Sequence, residues 1–184
     1  ASSTANGGNG FSPIGGSGNE FSGSFDGNGH TISNLTINRG RSNYVGLFGK
    51  TQSATVKDVG LNTVDITGFS YTGCLIGYDN GTVTGSHVTG TVTGENYTGG
   101  LVGHSTASNG VTDSYATASV TGNVTVGGLV GSNYGTVSDS NASGSVGGFL
   151  YVGGLVGYTE VLLQNLSATG NVSADIQNSS ATGS

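Results

Sequence analysis

Apolar residues in this chain come in short clusters, and the clusters return at a nearly fixed interval. Val45-Gly46-Leu47-Phe48-Gly49, Gly73-Cys74-Leu75-Ile76-Gly77, Gly99-Gly100-Leu101-Val102-Gly103, Gly127-Gly128-Leu129-Val130-Gly131 and Gly153-Gly154-Leu155-Val156-Gly157 share one pattern. Their final glycines, Gly49, Gly77, Gly103, Gly131 and Gly157, lie 28, 26, 28 and 26 residues apart. The stretches between them match as well. Gly81-Thr82-Val83-Thr84, Gly110-Val111-Thr112-Asp113 and Gly135-Thr136-Val137-Ser138 correspond, as do Gly90-Thr91-Val92-Thr93-Gly94, Ala118-Ser119-Val120-Thr121-Gly122 and Gly144-Ser145-Val146-Gly147-Gly148. Within each run apolar and polar residues alternate, the period-2 signature of a strand with one buried face, and Gly, Asn and Ser bound the runs as turn residues. No stretch has the 3.6-residue period of an amphipathic helix.

A period of this length signals stacked units that cannot bury their apolar rows alone. The expected fold is all-β: a β-solenoid (parallel β-helix) of about five 26–28-residue coils. Val, Leu and Ile point inward, Thr, Ser and Asn point outward, and coils stack about 4.8 Å apart through main-chain hydrogen bonds. The motif glycines are expected either to take positive φ at corners or to allow close approach between coils. Leu75, Leu101, Leu129 and Leu155 should form one interior column. The segment Phe21 to Ile37 alternates on both sides of Gly27-Asn28-Gly29, which suggests a β-hairpin or a first coil that caps the solenoid. The chain is thus divided into an N-terminal extension (1–20) available for contact with another subunit, an opening hairpin or cap (21–44), the repeat solenoid (45–175) and a C-terminal tail (176–184).

Composition restricts the architecture further. The 184 residues include 37 glycines and one proline, and hydrophobic residues make up 33%. Such a chain without a repeat would read as low-complexity and disordered, and it is too poor in large side chains for a thick globular core. The one cysteine, Cys74, closes no disulfide within the chain and replaces a motif glycine, so a buried, inert thiol is expected. No apolar run reaches the length of a membrane span. The small, polar start Ala1-Ser2-Ser3-Thr4 is of the kind expected after removal of a secretion leader. Net charge is −6, and all four basic residues, Arg39, Arg41, Lys50 and Lys57, fall in one window. The chain beyond Lys57 has no cation with which to neutralise phosphates, which excludes nucleic acid and disfavours anionic membranes.

The glycine–leucine segments, the G-x-V-x-[DGS]-S runs and the leading Phe21-Ser22-Gly23-Ser24-Phe25-Asp26-Gly27-Asn28-Gly29-His30-Thr31-Ile32-Ser33-Asn34-Leu35-Thr36-Ile37 together resemble GLUG-motif repeat proteins, over about residues 11–175. The first motif departs by one residue, and Cys74 replaces a glycine. The resemblance implies a β-helical stalk or presentation module of a secreted or surface-anchored microbial protein, adhesins and some surface peptidases included.

Three residue sets carry candidate chemistry. Asp58, Gly85, Asp113, Asp139 and Asn165 align in one column, and Asp113 and Asp139 would sit on adjacent coils. They read either as turn caps or as oxygen ligands of Ca²⁺, with paired-carboxylate catalysis a remote third reading. No other cofactor is expected, and Asp26-Gly27-Asn28-Gly29 reads as a plain turn. Tyr44, Tyr71, Tyr97 and Tyr151 form a second column, broken at Thr125, that reads as a packing ladder between coils or as a surface for sugar rings or a partner protein. Asn-x-Ser/Thr sequons begin at Asn34, Asn80, Asn96, Asn123, Asn141, Asn165, Asn171 and Asn178, and are N-glycosylation candidates if the chain is exported. His30, His87 and His104 occupy different repeat positions and form no zinc motif, and no G-x-S-x-G elbow with a histidine partner appears.

The expected function is therefore an extracellular structural or adhesive module, a self-assembling fibre subunit or adhesin stalk, with no catalytic residues. The alternatives are a glycan- or ligand-binding adhesin surface and, remotely, a β-helical polysaccharide-degrading enzyme. Expected partners are copies of itself joined head to tail, and glycans or cell-surface proteins.

Overall fold

The computed structural model describes residues 5–106, 110–161 and 163–174. All named strand pairs are parallel, and each strand bonds to its counterpart one repeat away. The strands form three faces. One sheet joins Asn96–Gly99 to Ser70–Gly73, Val124–Gly127 and Leu150–Gly153. A second joins Val102–Ser105 to Phe48–Lys50, Ile76–Asp79, Val130–Asn133 and Val156–Thr159. The third and largest carries the remaining strands, among them His87–Thr93 and Val137–Ala142. The fold is a parallel β-solenoid, as the repeat spacing requires.

The interior is a set of columns with one residue per coil. Leu75, Leu101, Leu129 and Leu155 are buried, with Leu47 above them. Their backbones follow the same line, the Leu75, Leu101 and Leu129 amides each donating to the next leucine carbonyl at 2.8–3.0 Å. The column that begins at Phe48 continues through Ile76, Val102, Val130 and Val156. Another runs Ile32, Leu61, Val88, Ala116, Ala142 and Ala168. In both, side chains shrink from the N-terminal end to the C-terminal end.

The interior is narrow because two faces meet at the glycine–leucine corner. A Cβ on Gly100 would stand 3.0 Å from the Ala116 methyl, and one on Gly128 would stand 3.0 Å from the Ala142 methyl. The motif glycines Gly49, Gly77, Gly103, Gly131 and Gly157 have no positive φ. They are needed for close approach: a Cβ on Gly103 would lie 2.6 Å from the Gly77 carbonyl oxygen and 2.6 Å from the Thr72 amide. Of the two expected roles for these glycines, only the second holds.

Left-handed corners are carried by other residues. Asp58, Gly85, Asp113, Asp139 and Asn165 have φ of 49–61°. These are the residue types that reach this region most readily. A second left-handed column consists of Tyr44, Tyr71, Tyr97, Thr125 and Tyr151, with φ of 53–60°. Bulky and β-branched side chains adopt this conformation at a cost of roughly 1–2 kcal/mol each, so the ladder contacts described below must offset it.

Of the two readings of the N-terminal segment, a hairpin or a first coil, the structure shows the first coil. Ser24–Asp26 pairs with Thr55–Lys57, and Thr31–Ser33 and Thr36–Asn38 both pair with Gly60–Thr67, all parallel. The two arms around Gly27-Asn28-Gly29 therefore bond to the next coil and form a first coil. The reason is that each arm has an apolar residue, Phe25 or Ile32, that packs against the solenoid core, which a free hairpin would leave uncovered. Residues 9–21 lie across the exposed edge of this coil. The Phe11 amide donates to Thr36 O at 2.8 Å, Ile14 N to Leu47 O at 2.9 Å, Gly49 N to Ile14 O at 2.9 Å and Phe21 N to Lys50 O at 3.0 Å. Much of the expected extension is thus bonded to its own chain. The ring of Phe21 packs 4.9 Å from Phe48, and Phe25 lies 5.3 Å from the same ring. The expected tail, 176–184, lies outside the described residues.

Candidate functional site

Three members of the tyrosine column, Tyr44, Tyr71 and Tyr97, form a stack of rings, whereas Tyr151, beyond the break at Thr125, is exposed and meets Tyr158 edge-on at 5.9 Å. Tyr44 and Tyr71 are parallel with centroids 5.2 Å apart, and Tyr71 and Tyr97 are parallel at 4.9 Å. Ring planes lie across the solenoid axis because the spacing equals the distance between strands. The faces of these rings are therefore occupied by one another, and mainly rims and hydroxyl groups face outward. Flat contact with a sugar ring requires an open face, so the stacked Tyr44, Tyr71 and Tyr97 fit a packing ladder better than a glycan platform.

A second aromatic column, not recognised in the sequence, flanks the first. The ladder register places Lys50, Tyr78, His104, Ser132 and Tyr158 on successive coils. Tyr78 meets Tyr71 edge-on at 5.5 Å, and His104 meets Tyr71 and Tyr97 edge-on at 5.6 and 5.5 Å. Lys50 Nζ sits over Tyr44 and Tyr78, 5.7 and 5.2 Å from the centroids. The coil with Thr125 in the first column has Ser132 in the second. There Tyr134 extends its ring to 5.5 Å from His104 and 6.0 Å from Tyr158, bridging the missing member. Burial among these rings pushes the His104 pKa down to about 4, so the imidazole is neutral. The second column was hard to read because its members are chemically mixed.

The acidic column lies at an exposed corner. Asp113 and Asp139 are both exposed, and Asn165 donates an amide N–H to Asp139 Oδ1 at 2.9 Å. Among the described residues, no group of three or more His, Cys, Asp or Glu side chains converges to hold a metal ion. The left-handed backbone at Asp58, Asp113, Asp139 and Asn165 gives these residues a conformational reason to be there.

The remaining acids and bases are mostly paired or enclosed. Lys50 bonds Glu20 at 3.1 Å and Lys57 bonds Asp26 at 2.9 Å. The hydrogen bonds donated to Glu20 and Asp26 hold both carboxyls below the usual carboxylate range. Asp79, which no sequence pattern singled out, is buried in the column Asp79, Ser105, Asn133 and Thr159. Thr51 Oγ1 donates to its Oδ1 at 2.6 Å, while Oδ2 has no partner, and burial raises its pKa to about 6. Cys74 is fully buried and burial pushes its thiol pKa up, which makes it unreactive at neutral pH. An open cavity of about 290 Å³ lies under the N-terminal cap, lined by Ser12, Pro13, Arg39, Asn43 and Tyr44 among others. Arg39 is held there by Ser12 Oγ at 2.8 Å and Phe11 O at 3.4 Å.

The sequon asparagines fall in several environments. Asn96 donates to Ser70 Oγ at 3.3 Å, and Asn165 to Asp139. Asn34 stands at a left-handed corner and Asn80 is half-buried. Asn123, Asn141 and Asn171 are exposed. Asn178 lies outside the described residues. His30 is exposed, and His87 stacks on Tyr115 with centroids 4.9 Å apart. Among the described residues, no helix is long and apolar enough to cross a membrane.

Three comparisons bear on this geometry. The family model of the GLUG motif matches residues 122–147. Halomucin of Haloquadratum walsbyi is 45% identical over 85 residues, 44% of this chain and 1% of that protein. A crystal structure of a Bacteroides ovatus protein, provisionally assigned as an immunoglobulin A1 protease, matches with a TM-score of 0.67 at 20% identity. The match covers 82% of this chain and 52% of that one, and at this identity it establishes the fold alone. The chain thus spans about half of its structural neighbour and a hundredth of halomucin. The matched 122–147 segment spans one coil, from Val124–Gly127 through Val130–Asn133 and Val137–Ala142. The chain therefore carries the GLUG motif as one coil of a parallel β-solenoid whose neighbouring coils repeat the same glycine–leucine corner.

Proposed function

We propose that the chain is a structural module of a secreted or surface-displayed protein, a stiff spacer and presentation element with no catalytic activity. The continuity of the interior supports this most. Each coil adds about 4.8 Å of axial length, and the leucine column runs unbroken from Leu47 to Leu155. Outside the aromatic columns, the outer faces are largely rows of Thr, Ser and Asn. Lys50 and Lys57 are in ion pairs with Glu20 and Asp26, and Asp113 and Asp139 sit at an exposed corner. The likeness to halomucin fits the same reading, since the name marks that relative as a mucin. The protease assignment of the Bacteroides ovatus protein is not carried over, because at 20% identity the likeness establishes the fold alone.

Antibody against the chain should label intact, unpermeabilised cells of the source organism or be found in their medium. Labelling only after permeabilisation refutes the extracellular placement. Adhesion is a narrower claim, tested by binding of the purified chain to a glycan array and to cell-surface extracts. Absence of both leaves the spacer without an adhesive role. Head-to-tail association of copies is proposed in restricted form. Residues 9–21 cover the N-terminal edge with backbone hydrogen bonds, so a second copy reaches that edge only if this segment moves. Light scattering at high concentration, with and without deletion of residues 5–20, tests this: deletion should promote association.

A further inference from the structure

We propose that Asn141 is an N-glycosylation site whose first sugar ring packs on the open face of Tyr115. Asn141-Ala142-Ser143 is a sequon on the strand Val137–Ala142. Alternation along the strand turns Asn141 and Ser143 outward and Ala142 inward: the first two are exposed and the third is buried. The ladder register puts His87, Tyr115 and Asn141 on three successive coils of one outward-facing column. The His87 and Tyr115 rings are nearly parallel, 9° apart, with centroids 4.9 Å apart. That distance is one strand spacing, so the rings stack along the solenoid axis. One face of Tyr115 is covered by His87. The other points toward the next coil, where the column continues with Asn141. Tyr115 is 40% exposed, although it belongs to a ring stack.

A sugar linked to Asn141 Nδ2 starts at the rung that follows the open ring face. Its axial C–H groups can lie on that face as the third member of the stack, at the same spacing. Among the described residues, Asn123 also has a ring as ladder neighbour, exposed Phe149 on the coil after it, whereas Asn96, Asn165 and Asn171 do not share the arrangement. Asn96 and Asn165 use their side-chain amides in hydrogen bonds. Exposed Asn171 follows Ser119 and Ser145 in its column, and neither offers a ring. In the modification, Nδ2 bonds to the anomeric carbon of a sugar carried on a lipid diphosphate. The bond from that carbon to the phosphate oxygen breaks, the diphosphate leaves with the electron pair, and one Nδ2 proton passes to a base of the transferase. The inference rests on export of the chain but not on adhesion or assembly.

The full chain is secreted from a host with an N-glycosylation pathway and digested after acidic residues, because no Lys or Arg follows Lys57. Cleavage after Asp139 and Glu160 releases residues 140–160, whose sequon is Asn141. The expected result is sugar mass on that fragment, lost in Asn141→Gln. Melting is then measured for wild type, Asn141→Gln, Tyr115→Ala and the double variant. Asn141→Gln should lower the melting temperature by about 2–4 °C with Tyr115 present and by less than about 1 °C with Tyr115→Ala. The same four proteins made without the pathway should show no such coupling. An unmodified fragment overturns the site. Equal shifts in both backgrounds overturn the packing. Either result leaves the cell-labelling test of export untouched.

Discussion

Gly127→Ala should be among the most damaging single-methyl additions in this molecule. Gly127 ends a strand at the narrow corner, and its φ is not in the left-handed region, so backbone conformation alone would tolerate alanine. The obstacle is space. A Cβ there would overlap the Val130 carbonyl oxygen across the corner and stand 2.7 Å from the Gly157 amide of the next coil. Both neighbours are backbone, so no side chain can rotate away. Relief requires opening either the corner or the spacing between coils, which lengthens the Leu129-to-Leu155 hydrogen bond now at 2.8 Å. Overpacking of this kind costs typically 1–3 kcal/mol, and the rigid surroundings place this case at the upper end, about 3 kcal/mol. In a domain of this length that is a fall in melting temperature of roughly 6–12 °C. Gly147→Ala is the matched control. Its Cβ would meet Ser173 Oγ at 3.4 Å, an ordinary contact, and its φ is also not in the left-handed region. The expected effect there is neutral, or stabilising by about 0.4–1 kcal/mol through the unfolded chain. Urea unfolding followed by circular dichroism measures both. If Gly127→Ala unfolds with Gly147→Ala, close approach is not what selects the glycines.

Leu129→Ala empties one rung of the interior column and should cost about 3–5 kcal/mol by the same assay. Tyr97→Gly should be less destabilising than Tyr97→Ala, the reverse of the usual order in a strand, because alanine keeps the left-handed strain of roughly 1–2 kcal/mol without the ring stack. Equal losses would mean the φ at this corner carries no strain. Asp79→Asn tests the buried carboxyl. Its pKa is raised from 3.8 to about 6, so the folded state binds the extra proton between those values. Its contribution to stability is full below pH 3.8 and is lost as pH rises through 6. Two pKa units correspond to about 3 kcal/mol, which Asp79→Asn should recover above pH 7. His104 acts in the opposite sense, since its depressed pKa removes stability as pH falls from 6.5 toward 4. In Asp79→Asn the acid side of the profile should therefore steepen. A profile unchanged by the substitution would show that Asp79 is ionised at no cost in the folded protein.

The sequence made the coil legible because the Leu47, Leu75, Leu101, Leu129 and Leu155 positions have to superpose for any of them to be buried. It also exposed the Tyr44–Tyr71–Tyr97 ladder, since one residue type repeats at the same offset. What it hid has two causes. The arms around Asn28 alternate in a way that fits a hairpin and a first coil equally, and only the choice of partner, the next coil rather than each other, decides between them. The register of that choice is set by Phe25 and Ile32 finding the core. The second aromatic column and Asp79 were hidden because their columns mix residue types: Lys50, Tyr78, His104, Ser132 and Tyr158 share a direction but no chemistry. The left-handed tyrosines are the sharpest lesson, since propensity assigns that conformation to glycine, and here the glycines of the glycine–leucine motif sit where backbones touch.

The shrinking of the interior columns has a consequence for the order of folding. Phe48 gives way to Ile76 and then to valines, and Leu61 to Val88 and then to alanines. In these two columns the apolar side chains are largest near the Phe21, Phe25 and Phe48 cluster and smaller along the chain, so each later coil gains less from burying them. In a one-dimensional array the strongest unit is where ordering starts, and each neighbour then forms on a template already in place. The solenoid thus has a built-in direction. Amide hydrogen exchange should therefore show protection highest in the coils around Phe48 and falling toward the Val156 coil, and uniform protection would refute the gradient.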